Sequence, residues 1–119
     1  MLGDTISVTI GGTARVLSKI NQDQYASEYY LKIATGEYRL RIKHSKDRVS
    51  NGSTPRDRHV ITLSEKVYPT PTSVELNRQS QITIVGAFLD DPGIQADNLV
   101  GLEAYLTKAN AVKLINWES

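Results

Sequence analysis

Glu37-Tyr38-Arg39-Leu40-Arg41-Ile42-Lys43-His44-Ser45 places an apolar side chain at every second position through Ile42 and a cation between each. Successive side chains of a strand point to opposite faces, so Tyr38, Leu40 and Ile42 share one face and Arg39, Arg41 and Lys43 the other. The oily side requires a cover, and the cationic side requires anions or water. A solvated outer face is the plainer use of such a row. The flanking segments must decide between it and a bound polyanion.

Downstream, His59, Ile61, Leu63 and Val67 alternate with Val60, Thr62, Ser64 and Lys66. Pairing this strand antiparallel to the first, through a Ser-, Asn-, Gly- and Pro-containing loop over 46–58, brings the two oily faces together and the two polar faces together. The composition of that loop, with Lys46, Arg48, Arg56 and Arg58, describes an exposed connection. Tyr68-Pro69-Thr70-Pro71-Thr72 must leave the ladder because proline has no backbone donor. A last strand over 73–88, strongest at Ile82-Thr83-Ile84-Val85, puts Asn77, Gln79, Gln81 and Thr83 opposite Ile82 and Ile84.

Upstream, Ile6, Val8 and Ile10 alternate with Thr5, Ser7 and Thr9 before Gly11-Gly12, and the apolar residues of the next run are Ala14, Val16 and Leu17. Two alternating runs around Gly-Gly predict a hairpin with strands near 5–10 and 13–20, because glycine reaches the positive φ angles of tight primed turns. Residues 21–27 are polar and turn-like. Tyr29, Tyr30, Leu31 and Ile33 then form a short strand, and Ala34-Thr35-Gly36 turns into the central one.

After Asp90 the period changes. Asp91 suits an N-cap and Pro92 a first helical position. Leu99, Leu102, Leu106 and Ala109 recur at helical steps, Asn110 breaks the pattern, and Val112, Leu114, Ile115 and Trp117 give a second short helix. The expected fold class is α+β: an N-terminal β-hairpin and antiparallel β-sheet followed by two C-terminal α-helices. The whole is one domain over 1–119, with a hairpin about 5–20, a main sheet about 29–88 and helices about 92–117. Two short helices cannot cover such a sheet, and an association laying one chain's helices over another chain's sheet would.

Overall charge is nearly balanced, with 14 Lys and Arg against 13 Asp and Glu, so bulk electrostatics does not announce a nucleic-acid binder. The distribution says more. Residues 36–68 carry a net +4, whereas the only charges of 79–107 are Asp90, Asp91, Asp97 and Glu103, an asymmetry that points to a polyanion for the basic part. The absence of cysteine removes disulfides, thiolate metal sites and cysteine nucleophiles, and suits a reducing cytosol. No apolar run reaches the roughly 18 residues of a membrane span, and the N-terminus lacks the pattern of a secretion signal.

No catalytic, metal or cofactor constellation emerges. His44 and His59 stand near the two ends of the basic loop with no carboxylate pair aimed at them, and read as ordinary strand-end histidines. Asp90-Asp91 reads as a helix cap. Gly11-Gly12 lacks the further glycines and the strand-to-helix setting of a phosphate loop. The chain is therefore expected not to be an enzyme, and to take neither a small-molecule substrate nor a membrane partner. Set beside Thr62, Ser64 and Lys66, the row of Arg39, Arg41 and Lys43 favours a nucleic acid over bare solvent.

The order of elements, with Thr5-Ile6-Ser7-Val8-Thr9-Ile10 and its Gly-Gly turn, Gly36-Glu37-Tyr38-Arg39-Leu40-Arg41-Ile42, and Gln81-Ile82-Thr83-Ile84-Val85 ahead of the helix with Leu99 and Leu102, resembles the coat proteins of single-stranded RNA bacteriophages, the levivirus-like group. The resemblance covers the chain in layout. It implies an intertwined homodimer with a continuous joined sheet, its interface including Leu99, Leu102, Leu106, Val112 and Ile115, and an icosahedral virion shell made and assembled in the bacterial host cytoplasm.

It further implies an inner face that binds genomic single-stranded RNA, and a stem-loop whose binding represses replicase translation. By matching strands and parity, that face falls on Arg39, Arg41, Lys43, Thr62, Ser64, Lys66, Asn77, Gln79 and Gln81. The position matching the family's aromatic stacking residue carries Asn77, and the loop 68–72 is shorter than its family counterpart. The alternative is a non-viral, dimeric sheet-and-helix module that binds nucleic acid without a shell.

Overall fold

The central strand is flanked on both sides by partners that preserve its two-faced character. The computed structural model describes residues 2–47, 55–87 and 90–117. Six strands, β1 (Thr5–Ile10), β2 (Thr13–Gln22), β3 (Ala26–Ile33), β4 (Gly36–Asp47), β5 (Arg56–Val67) and β6 (Leu76–Ala87), form one antiparallel sheet in sequence order. Helices α1 (Pro92–Tyr105) and α2 (Lys108–Ile115) follow. Within the basic loop, residues 48–54, Arg48 among them, lie outside the described residues, as does Phe88 at the expected end of the last strand.

Turns are placed where the chain has the chemistry for them. Gly11 and Gly12 adopt φ of 58° and 81°, the left-handed pair that a two-residue hairpin needs. Pro69 and Pro71 fall in the excursion between β5 and β6, which holds only an isolated bridge from Thr70 to Ser73. In 21–27 the polar run is shorter as a turn than expected: Asp23 Oδ1 accepts from the amides of Tyr25 and Ala26 at 2.8 Å each, and β3 already starts at Ala26.

The core lies on the Tyr38 face. Leu17, Tyr29, Tyr38, Leu40 and Ile42 are buried, with Ile6, Val8, Ile10, Leu31, Ile33, Ile61 and Leu63 half-buried against them. β2 approaches β4 even though β3 separates them in the ladder, so the sheet curls here and the hairpin lies back over the oily face. The register slip between Lys19 and Asn21 supplies the bend, since a bulge increases local twist.

The second run of the hairpin corrects the sequence reading. Of its apolar residues only Leu17 faces the core, while Val16 on the opposite parity is 50% exposed. Arg15 and Lys19 share the inward parity, because each lays its cation over a ring: Arg15 Cζ is 5.7 Å from the Tyr38 centroid and Lys19 Nζ 5.7 Å from that of Tyr29. Their aliphatic stems line apolar surface while the charge rests on the aromatic face.

Asp91 caps α1 as expected, accepting from the Gly93 amide at 2.8 Å, with Pro92 at the helix start. The break between helices falls at Leu106 and Thr107 rather than at Asn110. Thr107 is the N-cap of α2, accepting from the Asn110 amide at 3.3 Å, and the Asn110 side chain donates back to the Tyr105 carbonyl at 2.7 Å. Ala109 therefore belongs to α2. That helix ends at Ile115, and Trp117, expected within it, lies beyond with φ 67°.

Neither helix buries a residue. The chain's radius of gyration is 17.1 Å, against about 13.5 Å for a compact chain of this length. α1 touches the sheet near its own start, where Gly86 leaves room for the Gln95 side chain; a Cβ there would stand 2.5 Å from it. Beyond that point both helices leave the oily face near β6 open, with Leu76 and Ile82 exposed.

Candidate nucleic-acid interface

The ladder fixes which side chains share the cationic face. From β4 across β5 to β6, Arg39 pairs with Ser64 and Ser64 with Gln79; Arg41 pairs with Thr62 and Thr62 with Gln81. On either side lie the rows Glu37, Lys66, Asn77 and Lys43, Val60, Thr83. All nine residues assigned to the face from sequence occupy it. They line two adjoining grooves. One, of about 670 Å³, holds Arg41, Lys43, Thr62, Ser64, Gln79 and Gln81; the second adds Arg39, Lys66 and Asn77.

Between the rows the neutral groups bond across strands and along β6. Thr62 Oγ1 donates to Gln81 Oε1 at 3.4 Å, and Gln81 Nε2 donates to Thr83 Oγ1 at 3.4 Å. These are long bonds, easily exchanged for bonds to another polar group. The arrangement presents fixed cations beside amide and hydroxyl groups that both donate and accept.

β3 contributes two residues that the sequence reading did not place on this face. Glu28, opposite Arg41, accepts through Oε1 from Arg39 Nη1 at 3.0 Å and from Arg41 Nε at 3.2 Å. Tyr30, opposite Arg39, sits under its guanidinium, with Cζ 5.3 Å from the ring centroid. The Tyr30 hydroxyl donates to Glu37 Oε2 at 2.6 Å, and the Tyr68 hydroxyl donates to the same oxygen at 3.1 Å. Parity through Tyr29, Leu31 and Ile33 was the available signal for Glu28 and Tyr30.

These contacts shift the acids. The Tyr30 hydrogen bond holds the Glu37 carboxyl below its usual value, and the same bond, with burial, pushes the Tyr30 phenol up to about 12. Lys66 Nζ lies 3.4 Å from Glu75, so it too is shared with a carboxylate. Lys43 takes no ion-pair partner among the described residues.

His44 and His59 are cross-strand partners whose Nδ1 atoms are 2.8 Å apart, with rings 5.0 Å apart at 69°. They stand on the oily face by parity, and His44, at the strand end, also lines the first groove beside Lys43. Among the described residues no group of three or more His, Cys, Asp or Glu could hold a metal ion, and no helix is long and apolar enough to cross a membrane. Of the apolar residues assigned to an interface, Leu99 and Leu102 lie on α1, Leu106 caps it, and Val112 and Ile115 lie on α2. Leu99 is half-buried and the other four are exposed.

Comparison with known proteins bears on both the sheet and the helices. A chain of the virus-like particle of bacteriophage AVE019 superposes with a TM-score of 0.50, covering 89% of this chain and 87% of its own length at 13% identity. That likeness is one of fold, and it includes a six-stranded antiparallel sheet followed by two C-terminal helices. No curated protein sequence matches. The family model described as "Phage phiCb5, coat protein" matches residues 3–86, the entire sheet from β1 almost to the end of β6. This chain belongs to the phage phiCb5 coat-protein family, a family of structural proteins of the virion capsid.

Proposed function

We propose that the chain, as one coat-protein domain, works as an intertwined homodimer, closes with other dimers into an icosahedral shell, and holds single-stranded RNA against the face of Arg39, Arg41 and Lys43. The observation that carries this reading is the pair of helices with no fully buried residue in their own chain, beside an oily sheet face left open at Leu76 and Ile82. Apolar surface of that extent marks an interaction site in a soluble protein. A second copy answers both needs at once. Its helices, carrying Leu99, Leu102, Leu106, Val112 and Ile115, cover the open face, and its β6 completes the free edge of this β6.

Joining two β6 edges also doubles the polar face. Asn77, Gln79 and Gln81 then stand beside their counterparts, and Lys66, Ser64 and Thr62 lie one strand further out. Arginine and lysine supply salt-sensitive phosphate affinity, while Asn, Gln, Ser and Thr are suited to unpaired bases. The AVE019 chain comes from a virus-like particle, which supports the shell for a relative of the same fold. Repression of replicase translation through an RNA stem-loop rests on the levivirus-like layout alone.

Negative-stain microscopy of the purified chain tests the shell, with light scattering of unassembled protein for a mass twice the 13.2 kDa of the chain. Closed particles carrying ribonuclease-sensitive nucleic acid are expected. Small discrete oligomers alone at neutral pH would overturn the shell.

A further inference from the structure

Glu28 is an acidic group set in the middle of a cationic row. Its Oε1 accepts from both Arg39 and Arg41, at 3.0 and 3.2 Å, and its side chain is 21% exposed. One carboxylate thus offsets half of the charge of the two arginines nearest the centre of the sheet. It also occupies donors that would otherwise meet a phosphate oxygen. The arginines of the pair stay in contact with solvent, their side chains 37% and 52% exposed, and a solvent-screened ion pair contributes little to stability.

We infer that Glu28 is a selectivity residue of the RNA face: it penalises generic phosphate binding at Arg39 and Arg41, so that tight binding depends on unpaired bases reaching Thr62, Gln79 and Gln81. The inference deepens the RNA reading proposed above and rests on it. Discrimination can come from groups that disfavour the wrong ligand as much as from contacts to the right one. An RNA duplex offers phosphates and 2′-hydroxyls, but its base edges in the deep major groove are out of reach. At this face it would bring phosphate against Glu28 and offer the amide rows only 2′-hydroxyls and the minor-groove edges of paired bases. A single strand loses the same phosphate energy and regains it at Gln81, which pairs through Thr62 with the Arg41 row.

Glu28→Gln keeps the size of the side chain and removes its charge. With short duplex RNA and single-stranded RNA of equal length as probes, the full-length variant is expected to bind duplex about three- to fivefold more tightly than the unaltered protein. The slope of duplex affinity against salt is expected to steepen by about one contact. Single-strand affinity should change less, so the preference for single strands falls. Glu28→Asp, which keeps the charge, should retain the preference, and Glu103→Gln, the same charge change on α1, should leave both affinities unaltered. A Glu28→Gln protein that melts as the unaltered one does and binds duplex equally or more weakly would overturn the inference while leaving RNA binding by the face intact. An unaltered protein that binds neither RNA would overturn the RNA reading itself, and this inference with it.

Discussion

The Tyr30 hydroxyl donates to Glu37 Oε2 at 2.6 Å, locking β3 to β4 on the cationic face and tying stability to pH at both ends of the scale. Glu37, held below its usual 4.5 chiefly by this bond, stabilises the fold above its unfolded value, and that contribution is lost as pH falls through the lower folded value. Tyr30, raised from 10.0 to about 12 chiefly by the same bond, contributes fully below 10 and loses its contribution as pH rises toward 12. The Tm difference between the unaltered protein and Tyr30→Phe should therefore be largest between about pH 5 and 9 and shrink at both extremes. A difference independent of pH, followed by circular dichroism melts, would show that Tyr30 acts by packing alone.

The two parities of β2 make a sharp test of the curled hairpin. Leu17 is fully buried, whereas Val16 is 50% exposed. Leu17→Ala is expected to cost about 2–5 kcal/mol in urea unfolding, and Val16→Ala to stay within about 0.5 kcal/mol. Equal effects would mean that the hairpin does not lie over β4.

Much of this fold was legible because β4 alternates cleanly and β5 and β6 alternate around Ile61, Leu63, Ile82 and Ile84, so a period of two assigns both faces at once, even though Glu65 and Arg78 break the oily parity as a cross-strand ion pair. The reading failed in β2 for a physical reason. Arg15 and Lys19 face inward because rings on β4 and β3 receive their charges, and alternation along one strand carries no information about the strand it folds against. Glu28 was hidden differently, since it lies at the end of a polar run that reads as a turn until Ala26 is known to pair with Lys43. The His44–His59 contact likewise exists only through register. Leu106 fits the helical period as a core residue, yet α1 stops there because Thr107 offers a cap for α2.

The RNA face predicts a measurable ion count. Replacing Arg39, Arg41 and Lys43 together by Ser removes three cations from positions where neither core nor hairpin depends on them. Affinity for single-stranded RNA should fall, and its salt slope should flatten by about two, at about 0.7 per phosphate contact. Fluorescence anisotropy across a salt titration reads both. An unchanged slope would remove this face from the interface.

Leu102→Asp and Leu106→Asp separate a lone chain from an intertwined pair more cleanly than any sheet substitution. In a single chain Leu102 is 56% exposed and Leu106 41% exposed, so a charge at either position meets water and should change stability by no more than about 0.5 kcal/mol. In the proposed dimer the same positions lie against the partner's sheet, where an unpaired carboxylate would be stranded in apolar surroundings at a cost of about 3 kcal/mol or more. Dimers of either variant should dissociate or fail to form by sedimentation at concentrations where the unaltered chain is dimeric. Because the exposed sheet face is then uncovered, the released chains should also bind a hydrophobic dye more strongly. A variant that stays dimeric with an unaltered melting curve would place the helices outside the interface and leave the free edge of β6 as the contact to test next.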